Sequence, residues 1–331
     1  MFTLFLKIFA GMALLALIVV LALLFDGFDR ILHARMQRRY GPPLLQPVYD
    51  ILKLLGKENI VPRRAVRLIF MASPWLTLVT TLMVFLYLPA GSFPAVLGTE
   101  GDMVLIVYLL AMSGLLMAMG GFASGNPIAA IGAGREITLM MSYEFPLAIV
   151  VCSMAWTAYR LGMPGEPFNL ETFAAISIWS LVGKAGFIGL LCLFLSLILV
   201  VPGEVGKGPM DIPEAKTEIL DGLIIEYSGV NLAMFKLTFA LRSFAIATFV
   251  TCLFVPLSLR SLFGIGGFVV AVFDFVFFWV KVFVVQMLFV TVMRTAFGRL
   301  KIAQASRFYT LNVAGLSIAG MLLLSVDVLM R

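Results

Sequence analysis

Apolar residues recur in eight runs along the chain, at roughly 7–25, 68–88, 103–122, 137–159, 173–201, 230–257, 264–293 and 308–329. About twenty residues of helix cross a hydrocarbon core of ~30 Å, so each run is long enough to span a bilayer. The runs are continuously apolar rather than alternating, which predicts helices instead of barrel strands. The pattern therefore predicts an all-α, polytopic membrane protein with about eight transmembrane helices in a single membrane domain, 1–331. Asp26, Asp29 and Arg30 follow the first run where a signal peptide would carry a small-residue cleavage site, so that run is expected to be a retained span.

The connections alternate in charge. Segments 26–67, 123–136, 202–229 and 294–307 hold most of the Lys and Arg residues, whereas the other side carries only Lys7, Arg160, Arg260 and Arg331. The positive-inside rule places the basic connections in the cytoplasm and both termini on the extracytoplasmic side of a cell membrane. Composition agrees: 62% of the 331 residues are hydrophobic and 13% are charged, well below the charged share of a soluble domain. The net charge of +6 reflects this one-sided placement and gives no reason to expect nucleic acid.

The first basic connection contains its own amphipathic pattern. In 48–58, Val48, Ile51, Leu52, Leu54 and Leu55 form an apolar stripe, with Asp50, Lys53 and Lys57 on other faces. This predicts a short helix lying in the membrane interface or covered by another subunit. Pro47 suits its first turn, and Gly56 with Pro62 marks an ending nearby. Cys152, Cys192 and Cys252 each sit inside an apolar run, and His33 is the sole histidine. Buried thiols are expected, with no metal or other cofactor held by this chain.

Charges also occur where lipid rejects them. Glu144 lies early in the fourth run, close to Arg135 and Glu136, while Lys184, Lys236, Arg242, Asp274 and Lys281 fall in later runs. Such groups must face protein, water or the interface. Asp274 and Lys281 are two turns apart on one helix face and suit steps in a hydrated chain, whereas snorkelling or a buried structural pair is the plainer use. Segment 202–229 is the densest in acid, with Glu204, Asp211, Glu214, Glu218, Asp221 and Glu226 among Gly206, Gly208, Pro209 and Pro213. Glu214 and Glu218 have helical spacing, and Asp211 is placed to cap a short helix there. This reads as a charged patch or water-lined cavity coupled to the spans; the alternative is a solvated loop with no chemistry.

Three blocks resemble the respiratory complex I subunit 1 family, which includes the corresponding membrane subunit of energy-converting hydrogenases. They are Gln37-Arg38-Arg39-Tyr40-Gly41-Pro42 with the following amphipathic stretch, Ser142-Tyr143-Glu144, and Gly208-Pro209-Met210-Asp211-Ile212-Pro213-Glu214 continuing to Glu218 and Glu226. A weaker fourth block holds Arg294 and Arg299. The resemblance implies a subunit joining a peripheral redox arm to antiporter-like membrane subunits that move protons or sodium. It assigns coupling to Glu144, Asp211, Glu214, Glu218 and Glu226 and the arm interface to Arg38, Arg39, Arg294 and Arg299; the placement of Asp274 and Lys281 within a span adds them as relays along the membrane.

Departures from the quinone-reducing branch include Gly206-Lys207 and Met210 in the third block and a shortened glycine–proline loop at 41–47. Leu241-Arg242 stands where that branch often has an acidic-aromatic pair. They favour a ferredoxin-linked, hydrogenase-like or sulfane-reducing complex, whose nickel–iron centre and iron–sulfur clusters would lie in partner subunits. The alternatives are a quinone-binding subunit of respiratory complex I, an independent cation transporter and an architectural membrane anchor.

Overall fold

The computed structural model of the chain describes residues 2–98, 100–258 and 267–330, and the fold within them is all-α. Eight helices are long and apolar enough to cross a membrane. They are α1 (Phe2–Met36), α3 (Arg67–Tyr87), α4 (Met103–Ala123), α5 (Pro127–Arg160), α6 (Lys184–Val205), α7 (Gly229–Phe254), α8 (Val269–Ala296) and α9 (Ile302–Leu329). A shorter helix, α2 (Gln46–Leu55), precedes α3. Successive spans alternate in direction, so the connections gather at two ends. Segments 37–66, 206–228 and 297–301 form a charged end, and 88–98, 100–102 and 161–183 form the far end. Arg260 and Arg331, both expected on the sparsely charged side, lie outside the described residues.

Helix starts follow local chemistry. Asp102 caps α4 by accepting from Leu105 N at 2.8 Å, and Asn126 caps α5 by accepting from Ile128 N at 2.8 Å, with Pro127 in the first turn. Two helices are longer than the apolar pattern suggests. Helix α1 continues through Asp26, Asp29 and Arg30 to Met36, and α5 begins well before its apolar run, enclosing Arg135 and Glu136. The fifth run is shorter than expected at its start. Residues 173–183 are not part of α6 but form a short helix, Leu170–Ala175, and a single turn, Ile178–Ser180. The Trp179 indole donates to Phe254 O at 2.8 Å, folding this piece under the end of α7.

Helix α7 is the axis of the bundle. Within its most apolar window 89% of residues are buried, against 22–56% for the other spans. It packs against α1, α2, α3, α6 and α8. Phe25 of α1 wedges between Phe244 of α7 and Phe283 of α8, with ring centroids 5.1 and 5.0 Å away. That wedge fixes the face on which the next residue, Asp26, emerges.

Helix α2 packs on α1 and α7 through one edge of its stripe. Leu54 is buried and Ile51 partly so, whereas Leu52 and Leu55 remain exposed beside Tyr49. The cysteine expectation needs correction: Cys252 is buried, but Cys192 is half-buried and Cys152 exposed. In a membrane bundle the outward face is apolar too, so an apolar neighbourhood in sequence does not imply burial.

Helices α6 and α9 meet closely through glycine. A Cβ at Gly189 would lie 2.9 Å from Gly320 O and Leu324 N, and one at Gly320 would lie 2.9 Å from Gly189 O. Small residues allow such backbone approach where dispersion must supply the attraction. Gly189→Val is expected to destabilise the bundle by about 1–3 kcal/mol through overpacking. Thermal unfolding in detergent checks this; an unchanged midpoint would refute the close contact.

Candidate functional site: a charged cavity leading to a buried arginine

The charged end encloses a cavity of about 720 Å³. Its wall includes Asp26, Arg30, His33, Lys207, Asp211, Glu214, Lys236, Arg294 and Arg299. Asp26, Asp29, Arg30 and His33 follow one another at helical spacing down the last turns of α1. On the opposite wall Gly206 ends α6 in a left-handed conformation, φ 65°. This turns Lys207 back toward α1, where its Nζ donates to Asp26 Oδ1 at 2.8 Å and Asp29 Oδ2 at 2.9 Å. Burial alone would lower the Lys207 pKa, but the two aspartates outweigh it and raise the pKa, keeping the ammonium charged.

Asp29 is fully enclosed. It also accepts from Thr291 Oγ1 at 2.6 Å and lies 3.4 Å from Arg294 Nη1. Both partners are carried by α8, where a wider π turn over Met287–Val292 aims Thr291 at α1. Arg30 bridges Asp26 at 3.0 Å and Asp50 of α2 at 2.8 Å. The cavity wall is thus one ion network drawing on α1, α2, α8 and the 206–215 segment.

The rim is fastened by further pairs. Arg299 grips Asp211 with two bonds, 2.7 and 2.5 Å, and also donates to Thr217 Oγ1 at 3.0 Å. Asp211 therefore does not cap the following helix as expected. That helix spans only Lys216–Ile219, has no side-chain cap, and begins after Glu214. Glu218 pairs with Arg135 at 2.6 Å, and Glu226 accepts from Asn126 Nδ2 at 2.5 Å. Glu214 differs from these acids, because its Oε1 is buried without a hydrogen-bond partner. Burial first, and then the charges of Glu136, Asp221 and Asp211, push its pKa up to about 8.

Deeper in the bundle, Arg242 of α7 is fully buried. Its Nη2 donates to Glu204 Oε1 at 3.1 Å, and its Nη1 lies 3.5 Å from Glu136 Oε1. The Tyr143 hydroxyl is 3.5 Å away. Glu144 is the next residue on α5, and its Oε1 is likewise buried without a partner. The sequence-predicted Glu144 and Glu214 therefore flank a cluster whose centre, Arg242–Glu136–Glu204, is not among the sequence-predicted site residues. Glu204 and Glu136 are visible in the sequence as charges close to apolar runs, but their convergence on α7 is tertiary information.

Asp274 and Lys281 lie elsewhere. Both line a small pocket at the far end, where Lys281 Nζ donates to Val255 O at 3.0 Å and Leu257 O at 2.5 Å, while Asp274 accepts from the Ser92 hydroxyl. Arg38 and Arg39 are exposed at the charged end just beyond α1. Among the described residues no group of three or more His, Cys, Asp or Glu side chains is placed to hold a metal ion. What the arrangement offers chemically is fixed charge and exchangeable protons.

Comparison with known proteins agrees with this architecture. Residues 9–325 match the family model described as NADH dehydrogenase. Hydrogenase-4 component C of Escherichia coli (strain K12) is 31% identical over 252 residues, covering 76% of each chain. A subunit of the NADH-quinone oxidoreductase of Geobacillus sp. (strain WCH70) is 34% identical over 261 residues, covering 75% of this chain and 74% of that one. A chain of the membrane-bound sulfane sulfur reductase, an archaeal respiratory membrane complex, superposes with a TM-score of 0.81 at 25% identity, over 96% of this chain and 99% of that one. The chain belongs to the NADH dehydrogenase family, the polytopic membrane subunits of complex-I-like and hydrogenase-related oxidoreductase assemblies.

Proposed function

We propose that this chain anchors a peripheral redox arm at its charged end and converts electron transfer there into proton or sodium movement in the membrane. The observation that carries this reading is the chain of ionisable groups from the cavity wall to the buried Arg242, within which Glu144 and Glu214 hold buried, unpartnered carboxylate oxygens. A carboxylate without fixed donors changes protonation more readily than one held by an arginine. Asp211, Glu218 and Glu226 play a different part, tying the 206–228 segment to its neighbours so that a displacement there reaches the interior.

The charged end faces the cytoplasm in this reading, consistent with the positive-inside rule, and both termini are extracytoplasmic. Arg38 and Arg39 then project toward the redox arm, with Arg294 and Arg299 holding the surface beneath them. The arm receives electrons from ferredoxin, and its subunits carry the iron–sulfur clusters and, in a hydrogenase, the nickel–iron centre. Antiporter-like subunits adjoin the bundle laterally, and Asp274 and Lys281 form a second charged station at its far end.

The cavity wall suits charge better than a quinone ring. Ligand pockets for such rings are mostly apolar, whereas this wall is dominated by the Asp, Glu, Lys and Arg side chains described above. Organic extraction of the native complex is expected to recover no stoichiometric quinone. A quinone retained near Glu214 and Lys207 would overturn this branch assignment.

Glu144→Gln and Glu218→Gln, introduced separately into the complex, are expected to lower the ions moved per electron by roughly five-fold or more while electron transfer continues. Transport in proteoliposomes alongside electron flux measures this ratio, and an unchanged ratio in both variants would refute the coupling role. Glu214 gives an independent readout. A carboxyl group raised from 4.5 to about 8 contributes stability that is complete below its unfolded pKa and lost as pH rises through its folded pKa. Thermal stability should therefore decline between those two values in the native protein and decline less in Glu214→Gln. Parallel pH curves would contradict a buried, proton-holding Glu214.

A further inference from the structure

We infer that Arg242 is a mobile counter-charge: its guanidinium shifts between Glu204 and Glu136 as one proton passes between those two carboxylates. This deepens the coupling reading above and rests on it. The first support is incomplete pairing. A guanidinium offers five N–H donors. Here Nη2 makes a charge-assisted bond of 3.1 Å to Glu204 and a longer one of 3.5 Å to the Tyr143 hydroxyl, Nη1 lies at 3.5 Å from Glu136, and the buried Nε has no partner. A rigid structural bridge would be expected to satisfy those donors.

The second support is charge balance. Arg242, Glu136 and Glu204 are all buried, the arginine and Glu204 to about 1% exposure. One cation with two ionised carboxylates leaves a net negative charge inside the bundle, which burial penalises heavily. One proton on either carboxylate makes the trio neutral. The two neutral states differ only in which acid is protonated: the carboxyl O–H of Glu136 breaks, an O–H forms on Glu204, and the guanidinium keeps its charge while approaching the newly ionised Glu136. No oxidant, reductant or further reactant enters the step.

The third support is space and connection. Helix α4 presents Gly114, where a Cβ would lie 3.3 Å from Glu136 Oε1 and 3.4 Å from Arg242 Nη2, so its absence leaves room for the shift. Each carboxylate leads to a different part of the charged end. Glu204 is three residues before Lys207, which holds Asp26 and Asp29. Glu136 follows Arg135, which holds Glu218. Arg242 is the point where these two routes meet, and the unpartnered Glu144 oxygen lies on the same helix as Glu136.

The test uses the intact complex in proteoliposomes, with Arg242→Lys, Arg242→Gln and the charge-balanced double variant Arg242→Gln/Glu136→Gln. Reduced-minus-oxidised infrared spectra of the native complex should show paired carboxyl bands of opposite sign, one lost in Glu136→Gln and the other in Glu204→Gln. The double variant should assemble and transfer electrons, yet move roughly ten-fold fewer ions per electron. Arg242→Lys, which keeps the charge but not the fork, should assemble and lose the paired bands. Native-like ion ratios in the double variant, or paired bands surviving in Arg242→Lys, would reduce Arg242 to a structural counter-ion. Glu144→Gln separates the two levels: an impaired Glu144→Gln with a normal double variant sinks this inference alone, and normal ratios in both sink the coupling reading as well.

Discussion

The structure depends on the rule that a charge removed from water must find its opposite. Arg242 occupies the most enclosed span, so its counter-charges have to be delivered by neighbouring helices. Glu136 arrives from α5 and Glu204 from α6, while α4 yields space through Gly114. Removing one partner from such a pair costs about 3–5 kcal/mol because the other charge stays buried alone. Three helices are thereby held at one mutual depth by a contact that apolar packing could not specify. A sliding error of one turn would misplace a carboxylate by ~5 Å.

The same rule organises the charged end with less severity. Pairs such as Arg299–Asp211 and Arg135–Glu218 are partly exposed, so each contributes little to stability by itself. Their importance is geometric. They fasten the 206–219 segment to the α8–α9 connection and to α5, and Lys207 fastens it to α1. Because Glu204 stands just before this segment, few bonds separate the rim from Arg242. Asp29 supports that connection from the other side, since Lys207, Thr291 and Arg294 converge on it.

Span number, helix class and the amphipathic α2 are legible in the sequence because each leaves a local signature: continuous apolar runs and a stripe beside Pro47. The site is legible in part. Glu144 and Glu214 stand out as acids in or beside spans, and both hold unpartnered oxygens. Asp26 and Asp29 do not stand out, because hydropathy ends the first span where its apolar run ends, although α1 continues. Their helical spacing with Arg30 and His33 is the available signal. Glu136 falls in a connection by hydropathy for the same reason. The π turns of α8 and of α9, the latter over Phe308–Val313, have no recognisable local signature, yet the first aims Thr291 at Asp29. Burial of the cysteines is not legible, because hydropathy does not separate lipid from protein core.

Among the described residues no line of ion pairs is seen to join the two charged stations. Between Arg242 and the far-end Lys281 the packing is largely aromatic and aliphatic, with Phe244 stacked on Trp279 at 5.1 Å. A side-chain polar contact between helices interrupts it: Gln286 Nε2 donates to Ser243 Oγ at 3.1 Å, and Ser243 adjoins Arg242. Gln286 Oε1 is buried without a partner. An amide does not titrate and cannot itself carry a proton onward, but its free acceptor can order a water. The middle of the bundle therefore combines an apolar barrier with a few polar positions, the buried and unpartnered Trp279 indole nitrogen among them. In the coupling proposed above, the field of a charge shifting at Arg242 would still extend across such a barrier, since the low dielectric screens it weakly. Under that proposal the stations would communicate electrostatically rather than by continuous passage of an ion through the subunit.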